Sequence, residues 1–138
     1  MVVPATMRVG TFGTFYTLIN NNKLSGWTVQ ASEDNVDTVL PCIVINPAQF
    51  KNKNITMNGG TKERNMEITI QLFTDVRDGL TKLDAGADNV ENSINSNQAT
   101  LHSANLMYDG CEDTAQNTYT EGQQKINYRA ISFKLRLN

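Results

Sequence analysis

Two apolar rhythms meet in the middle of the chain, within residues 64–97. From Met66 to Phe73, Ile68, Ile70 and Leu72 alternate with Glu67, Thr69 and Gln71, the period of two that belongs to a strand with one buried face. After Asp75 the interval lengthens: Val76, Leu80, Leu83, Ala87, Val90 and Ile94 recur every three or four residues, which places all of them on one stripe of a helix. Asp75 and Asp78 stand at its start, where negative charge complements the exposed N–H groups. A strand feeding an amphipathic helix is therefore predicted, its stability supplied by packing of the stripe on a sheet.

The same reading extends outward in both directions. Val9, Phe12, Phe15, Tyr16 and Ile19 predict a helix over 7–20, with Thr6 as its N-cap and the asparagines at 20–22 ending it, although Gly10 and Gly13 weaken it. Trp27–Ala31 has the residue types of a short strand, with Trp27 filling the edge of the core. Cys42–Ile45 is continuously apolar and predicts a strand covered on both faces, begun after Pro41 and ended by Asn46–Pro47. Residues 49–65 are polar and basic and are expected to form a long irregular loop carrying Lys51, Lys53, Lys62 and Arg64. Beyond the central helix, Leu106–Thr114 is extended with a bend at Gly110, and residues 118–124 turn the chain. Lys125–Leu137 is a long strand whose parity changes near Arg129–Ala130: Ile126, Tyr128 and Ala130 point one way, Ile131, Phe133, Leu135 and Leu137 the other. The expected fold is one α+β domain over residues 1–138, a single mixed or antiparallel sheet with two main helices on one face and a C-terminal hairpin. Its other face must be wet or covered by a partner. No internal repeat breaks the chain.

Charge and composition narrow the function. Charged residues are 19% of the 138, the formal net charge is −2 and the pI is about 5.3, so no global basic field favours nucleic acid. No run reaches the length of a membrane span and no signal-like block opens the chain, which gives the expectation of a cytosolic protein with no membrane contact. Two cysteines, Cys42 and Cys111, and one histidine, His102, cannot assemble a zinc site or a disulfide framework. Cys42 reads as inert core, and free thiols are favoured over a single pairing.

The candidate chemistry is sparse. Glu33, Asp34 and Asp37 lie close together in 32–38 but miss the spacing of a calcium loop. Gly59–Gly60 precedes a strand, so the basic stretch lacks the turn-then-helix arrangement of a phosphate loop. His102 has no carboxylate or thiol near it in sequence to make it a base or a ligand. Glu67, Asp109, Glu112 and Asp113 supply further carboxylates without a spacing that pairs them. No catalytic residue, metal ligand or cofactor is expected from these residues.

One resemblance is carried by the order of parts. An N-terminal helix, the apolar strand Leu40-Pro41-Cys42-Ile43-Val44-Ile45-Asn46-Pro47, the strand–helix unit Met66–Ile94 and a terminal hairpin through Tyr128-Arg129-Ala130-Ile131-Ser132-Phe133-Lys134-Leu135 together resemble the tail-terminator or tail-completion (neck) proteins of tailed phages and related viruses. The likeness covers the whole chain and is one of size and texture, with no diagnostic motif. It implies a structural virion protein, assembled in the host cytoplasm. Such a subunit closes into a homo-oligomeric ring, usually a hexamer, which caps the tail tube, joins the head-side connector or adaptor proteins, and lets genomic DNA pass its lumen without sequence-specific binding. It performs no chemistry. Subunit or partner contacts carried over from it fall on Lys51, Lys53, Lys62 and Arg64 and on Arg129, Lys134 and Arg136 of the last strand, because a loop and an exposed edge are what a monomer leaves unpaired. The alternatives are a head-side adaptor subunit, a small enzyme or a nucleic-acid-binding module.

Overall fold

Strand β4 (Lys62–Asp75) is the centre of the molecule, paired along its length to β6 (Gln124–Leu137) on one side and to β2 (Cys42–Ile45) and β3 (Gln49–Asn54) in succession on the other. The computed structural model describes residues 7–31, 40–54, 62–104 and 106–137. The proposed N-cap at Thr6, the acidic loop 32–38 and the Gly59–Gly60 turn lie outside the described residues. The six-stranded sheet runs β1-β2-β4-β6-β5, with β3 beside β4 off this path; β1 is Thr28–Ala31 and β5 is Leu106–Glu121. Among the described residues only β1 and β2 pair in parallel.

Alternation along β4 sorts its residues as expected. Met66, Ile68, Ile70 and Leu72 are fully buried and meet Val29, Ile43, Ile45, Ile131, Phe133 and Leu135 in one core cluster. Three helices cover this face: α1 (Met7–Asn22), α2 (Gly79–Asn95) and the short α3 (Gln98–Ser103). The α+β architecture with its helices on one face and a C-terminal hairpin is thus observed. All four residues of β2 are buried, matching a strand covered on both faces.

Several expectations are corrected. Residues 49–54 and 62–65 are not an irregular loop; β3 pairs antiparallel with the first half of β4, from Gln49 opposite Glu67 to Asn54 opposite Lys62. Polar side chains hid this pair, because it lacks the apolar alternation that marks a strand with a buried face. The central helix starts later than its stripe implied. Val76–Asp78 is a 3-10 turn, and Gly79, at φ 76°, redirects the chain into α2, so Val76 belongs to the turn and Leu80 is 50% exposed. Leu83, Ala87, Val90 and Ile94 carry the burial. On α1 the inward residues are Thr11, Phe15, Leu18 and Ile19, and Val9 points to solvent. The inward Thr11 donates to the Met66 sulfur at 3.4 Å, which satisfies its hydroxyl inside an apolar layer.

α3 had no forecast. Its single buried residue, Leu101, continues the stripe seven residues beyond Ile94, and the break between is made by asparagine: Asn97 Nδ2 donates to the Ser93 carbonyl at 2.6 Å. Asn22 ends α1 in the same way, donating to the Leu18 carbonyl at 2.7 Å. Asparagine thus serves at both helix ends, where orphan carbonyls need donors.

The parity change in β6 is a change of environment. Its register with β4 is unbroken from Arg136 to Ile126, and the irregularities lie in β5, between Tyr108 and Gly110 and between Asp113 and Ala115. Gly110 has φ 116°, so the bend expected there is a β-bulge at a position that favours glycine.

Candidate assembly surface

Odd-numbered residues of β4 from Asn65 onward and even-numbered residues of β6 point away from the helices and form a polar, partly aromatic face. Ser132 Oγ donates to Glu67 Oε1 at 2.8 Å and lies 3.0 Å from Thr69 Oγ1. Gln71 Nε2 donates to the Tyr128 hydroxyl at 3.0 Å. Phe73 stacks obliquely on Tyr128, ring centres 5.2 Å apart, and meets Tyr119 edge-on at 6.5 Å. Such cross-strand pairs rigidify the sheet. They make this face a braced surface whose side chains largely satisfy one another.

At the end of that face a cleft of about 590 Å³ is lined by Asp75, Val76, Arg77, Gln123, Gln124 and Lys125. Asp75 is fully engaged in it. Its Oδ1 accepts from the Arg77 backbone N–H at 2.9 Å and from Arg77 Nε at 3.2 Å, and its Oδ2 accepts from Arg77 Nη2 at 2.9 Å and Gln124 Nε2 at 3.0 Å. Hydrogen bonds from the Arg77 side chain and backbone, then from Gln124, hold the carboxyl well below its usual range. With both oxygens occupied, Asp75 is a staple joining the end of β4 to the β5–β6 turn.

That staple predicts acid sensitivity. The folded pKa lies below the unfolded one, so the stabilisation is present above about pH 4 and is lost as pH falls toward the folded value. Asp75→Asn should lower the urea midpoint at pH 7 and shrink the difference between the pH 7 and pH 3 midpoints. A variant with the wild-type acid profile would show that Asp75 is not the linked group.

The thiols are separated by the sheet itself. Cys42 on β2 and Cys111 on β5 have β4 and β6 between them, at strand spacings of about 4.8 Å each, too far to bridge. Both are free. Burial pushes the Cys42 thiol up to about 11, in keeping with an inert core residue. Cys111 is raised chiefly by burial, as is Tyr108, which also hydrogen-bonds to it.

The basic residues expected to make contacts separate into two groups. Lys51 and Lys53 lie on β3, and Lys62 and Arg64 on the part of β4 that pairs with it, so these four share one two-stranded arm. The β6 residues are engaged within the chain. Arg129, with only 15% of its side chain exposed, reaches Asp84 of α2 at 2.7 Å and Gln116 at 3.2 Å. Lys134 pairs with Glu112 at 3.0 Å and Arg136 with Asp109 at 2.9 Å. The structure therefore uses several of the available carboxylates, Asp75, Asp84, Asp109 and Glu112, to bind cations of its own chain.

The feature whose length periodicity missed is the outer edge. β5 is 16 residues long and ends the strand order, and its residues from Glu112 to Thr118 are all exposed. Its first part, Leu106–Thr114, is the extended piece expected from the sequence; the polar run beyond it carries no alternation, and the strand continues to Glu121 through residues expected to turn the chain. Among the described residues, no helix is long and apolar enough to cross a membrane, and no group of three metal-ligating side chains forms.

No family model matches the chain, and no curated protein matches it. Solved structures do match, among them a chain from the virion of a native gene transfer agent particle. It aligns over 89% of this chain and 83% of that chain, at 10% identity and a TM-score of 0.38. A likeness of that size carries no argument about function.

Proposed function

We propose that this protein is a structural virion subunit that works by assembling, in the manner of the tail-terminator and neck proteins its element order resembles. In this reading copies of the chain close into a ring, most simply a hexamer. The ring caps the tail tube, meets the head-side connector and leaves a channel for DNA, and the subunit contributes contacts in place of catalysis. The observation that carries the reading is the 16-residue edge strand β5. An edge of this length with no strand beyond it among the described residues presents unpaired N–H and C=O groups, a template for another chain. The braced sheet face beside it supports the same role, since a ring under load needs a stiff subunit.

The test is oligomeric state. Light scattering and sedimentation of the purified chain should give a single closed multimer, and negative-stain images should show rings with a central hole. A strictly monomeric protein at high concentration that also fails to bind tail tubes or connectors would overturn the reading. Position on a virion would separate a terminator from a head-side adaptor.

A further inference from the structure

We infer that the cleft beside Asp75 binds a carboxylate, supplied by an acidic patch between α2 and β5 of a neighbouring copy. This rests on the oligomeric reading above and names a pair of surfaces for its head-to-tail contact.

The cleft is a set of donors waiting for an acceptor. Its lining holds two cations, Arg77 and Lys125, and one carboxylate, Asp75. Asp75 takes Nε and Nη2 of Arg77, which fixes the guanidinium and leaves Nη1 without a hydrogen bond among the described residues, on a side chain that is 88% exposed. Lys125 and Gln123 are exposed, and neither has a partner among the described residues. Asp78 also acts on Arg77, but Lys82 binds it at 3.5 Å. The cleft therefore stays positive, with Nη1, the Lys125 ammonium and the Gln123 amide unused. Such donors suit the several acceptor positions of a carboxylate, and a guanidinium already held in place loses little freedom on binding one.

The same chain carries the complementary surface. Asp84, Asp88 and Glu91 follow one another on α2 at intervals of four and three, so they share a stripe. Asp84 reaches Arg129 of β6, and Glu91 acts, with Asp113, on the Cys111 thiol of β5; the stripe thus faces the β5–β6 hairpin. Asp88 and Asp113 are exposed and have no ion pair among the described residues. The patch they form with Glu91 is left negative.

Cleft and patch cannot meet within one molecule. Asp113 pairs with Ile131, six residues along β6 from Lys125, which is roughly 20 Å of strand. Between molecules, a two-fold contact of cleft with cleft or of patch with patch would oppose like charges. A head-to-tail contact of cleft with patch joins opposite ones, and it is the kind of contact that closes into a ring. A nucleic-acid backbone fits the cleft less well, because two cations in a chain of net charge −2 make no field that would follow a run of phosphates.

The experiment is charge reversal read by sedimentation equilibrium of the full chain. Lys125→Glu, which leaves the Asp75–Arg77 contacts in place, and separately Asp88→Lys with Asp113→Lys, should each weaken self-association roughly tenfold or more. The three changes in one chain should recover part of the loss. Melting temperatures are measured alongside, and the wild-type oligomer is titrated with salt in case a variant does not fold: its dissociation constant should rise at least about tenfold from roughly 50 to 500 mM NaCl. An oligomer indifferent to salt, or folded variants that assemble like wild type, overturns the cleft–patch pairing while leaving the ring reading intact. Salt-sensitive binding of a duplex DNA oligonucleotide that Lys125→Glu abolishes would assign the cleft to phosphate and overturn the carboxylate. A wild-type chain that stays monomeric overturns the ring reading itself, and the pairing with it.

Discussion

Leu83→Asp should leave the chain unfolded at neutral pH. Leu83 is fully buried on the inward stripe of α2, within the cluster that includes Ile68, Ile70 and Leu72 of β4. Losing the leucine forfeits about 1.5–3 kcal/mol of burial. An unpaired carboxylate there adds a penalty of several kcal/mol, and together these approach the whole stability of about 5–15 kcal/mol expected for a domain of this size. Leu80→Asp is the control. It lies on the same apolar stripe in the sequence but is half exposed in the first turn of α2, where an acid suits the helix N-terminus, and should change stability by no more than about 0.5 kcal/mol. Circular dichroism and urea titration of both variants check the pair. A cooperative transition for Leu83→Asp at the wild-type midpoint would remove Leu83 from the core.

The contrast between those two leucines shows what could be read from sequence. Periodicity identified β4, α2 and the apolar half of β6, because each buries one face against a core and the hydrophobic effect writes that burial into spacing. It placed Val76 and Leu80 on the same stripe because spacing carries no information about a 3-10 turn and a positive-φ glycine intervening before the helix. β3 and the second part of β5, residues 115–121, were illegible as strands for a related reason: they pair at edges with little to bury, and their signal lies in backbone hydrogen bonds that no side chain announces. The candidate surface is built from these parts. Lys51 and Lys53 could be singled out as charges, but only the β3–β4 register shows them on a strand, and only the β5–β6 register sets Asp109 and Glu112 beside Arg136 and Lys134.

Gly86→Val should destabilise the domain strongly even though it replaces the poorest non-proline helix former. In sequence Gly86 reads as a weakness in α2, worth about 1 kcal/mol against Ala. In the structure a Cβ at this position would fall 2.5 Å from Cη2 and Cζ2 of Trp27 and 3.2 Å from Cδ2 of Leu72. Trp27 is itself buried, at 4% exposure, so the indole has no open space to swing into and the helix must lift from the sheet. Overpacking of this kind costs about 1–3 kcal/mol and sometimes more. Gly86→Ala, which gains the propensity term, should still be destabilising, and Gly86→Val should be worse and should red-shift the fluorescence of the only tryptophan as the ring is displaced. Gly10 marks the difference, since a Cβ there meets nothing within 4 Å; Gly10→Ala should raise stability by up to about 1 kcal/mol. A higher melting temperature for Gly86→Ala would mean that α2 does not pack on Trp27 at this distance.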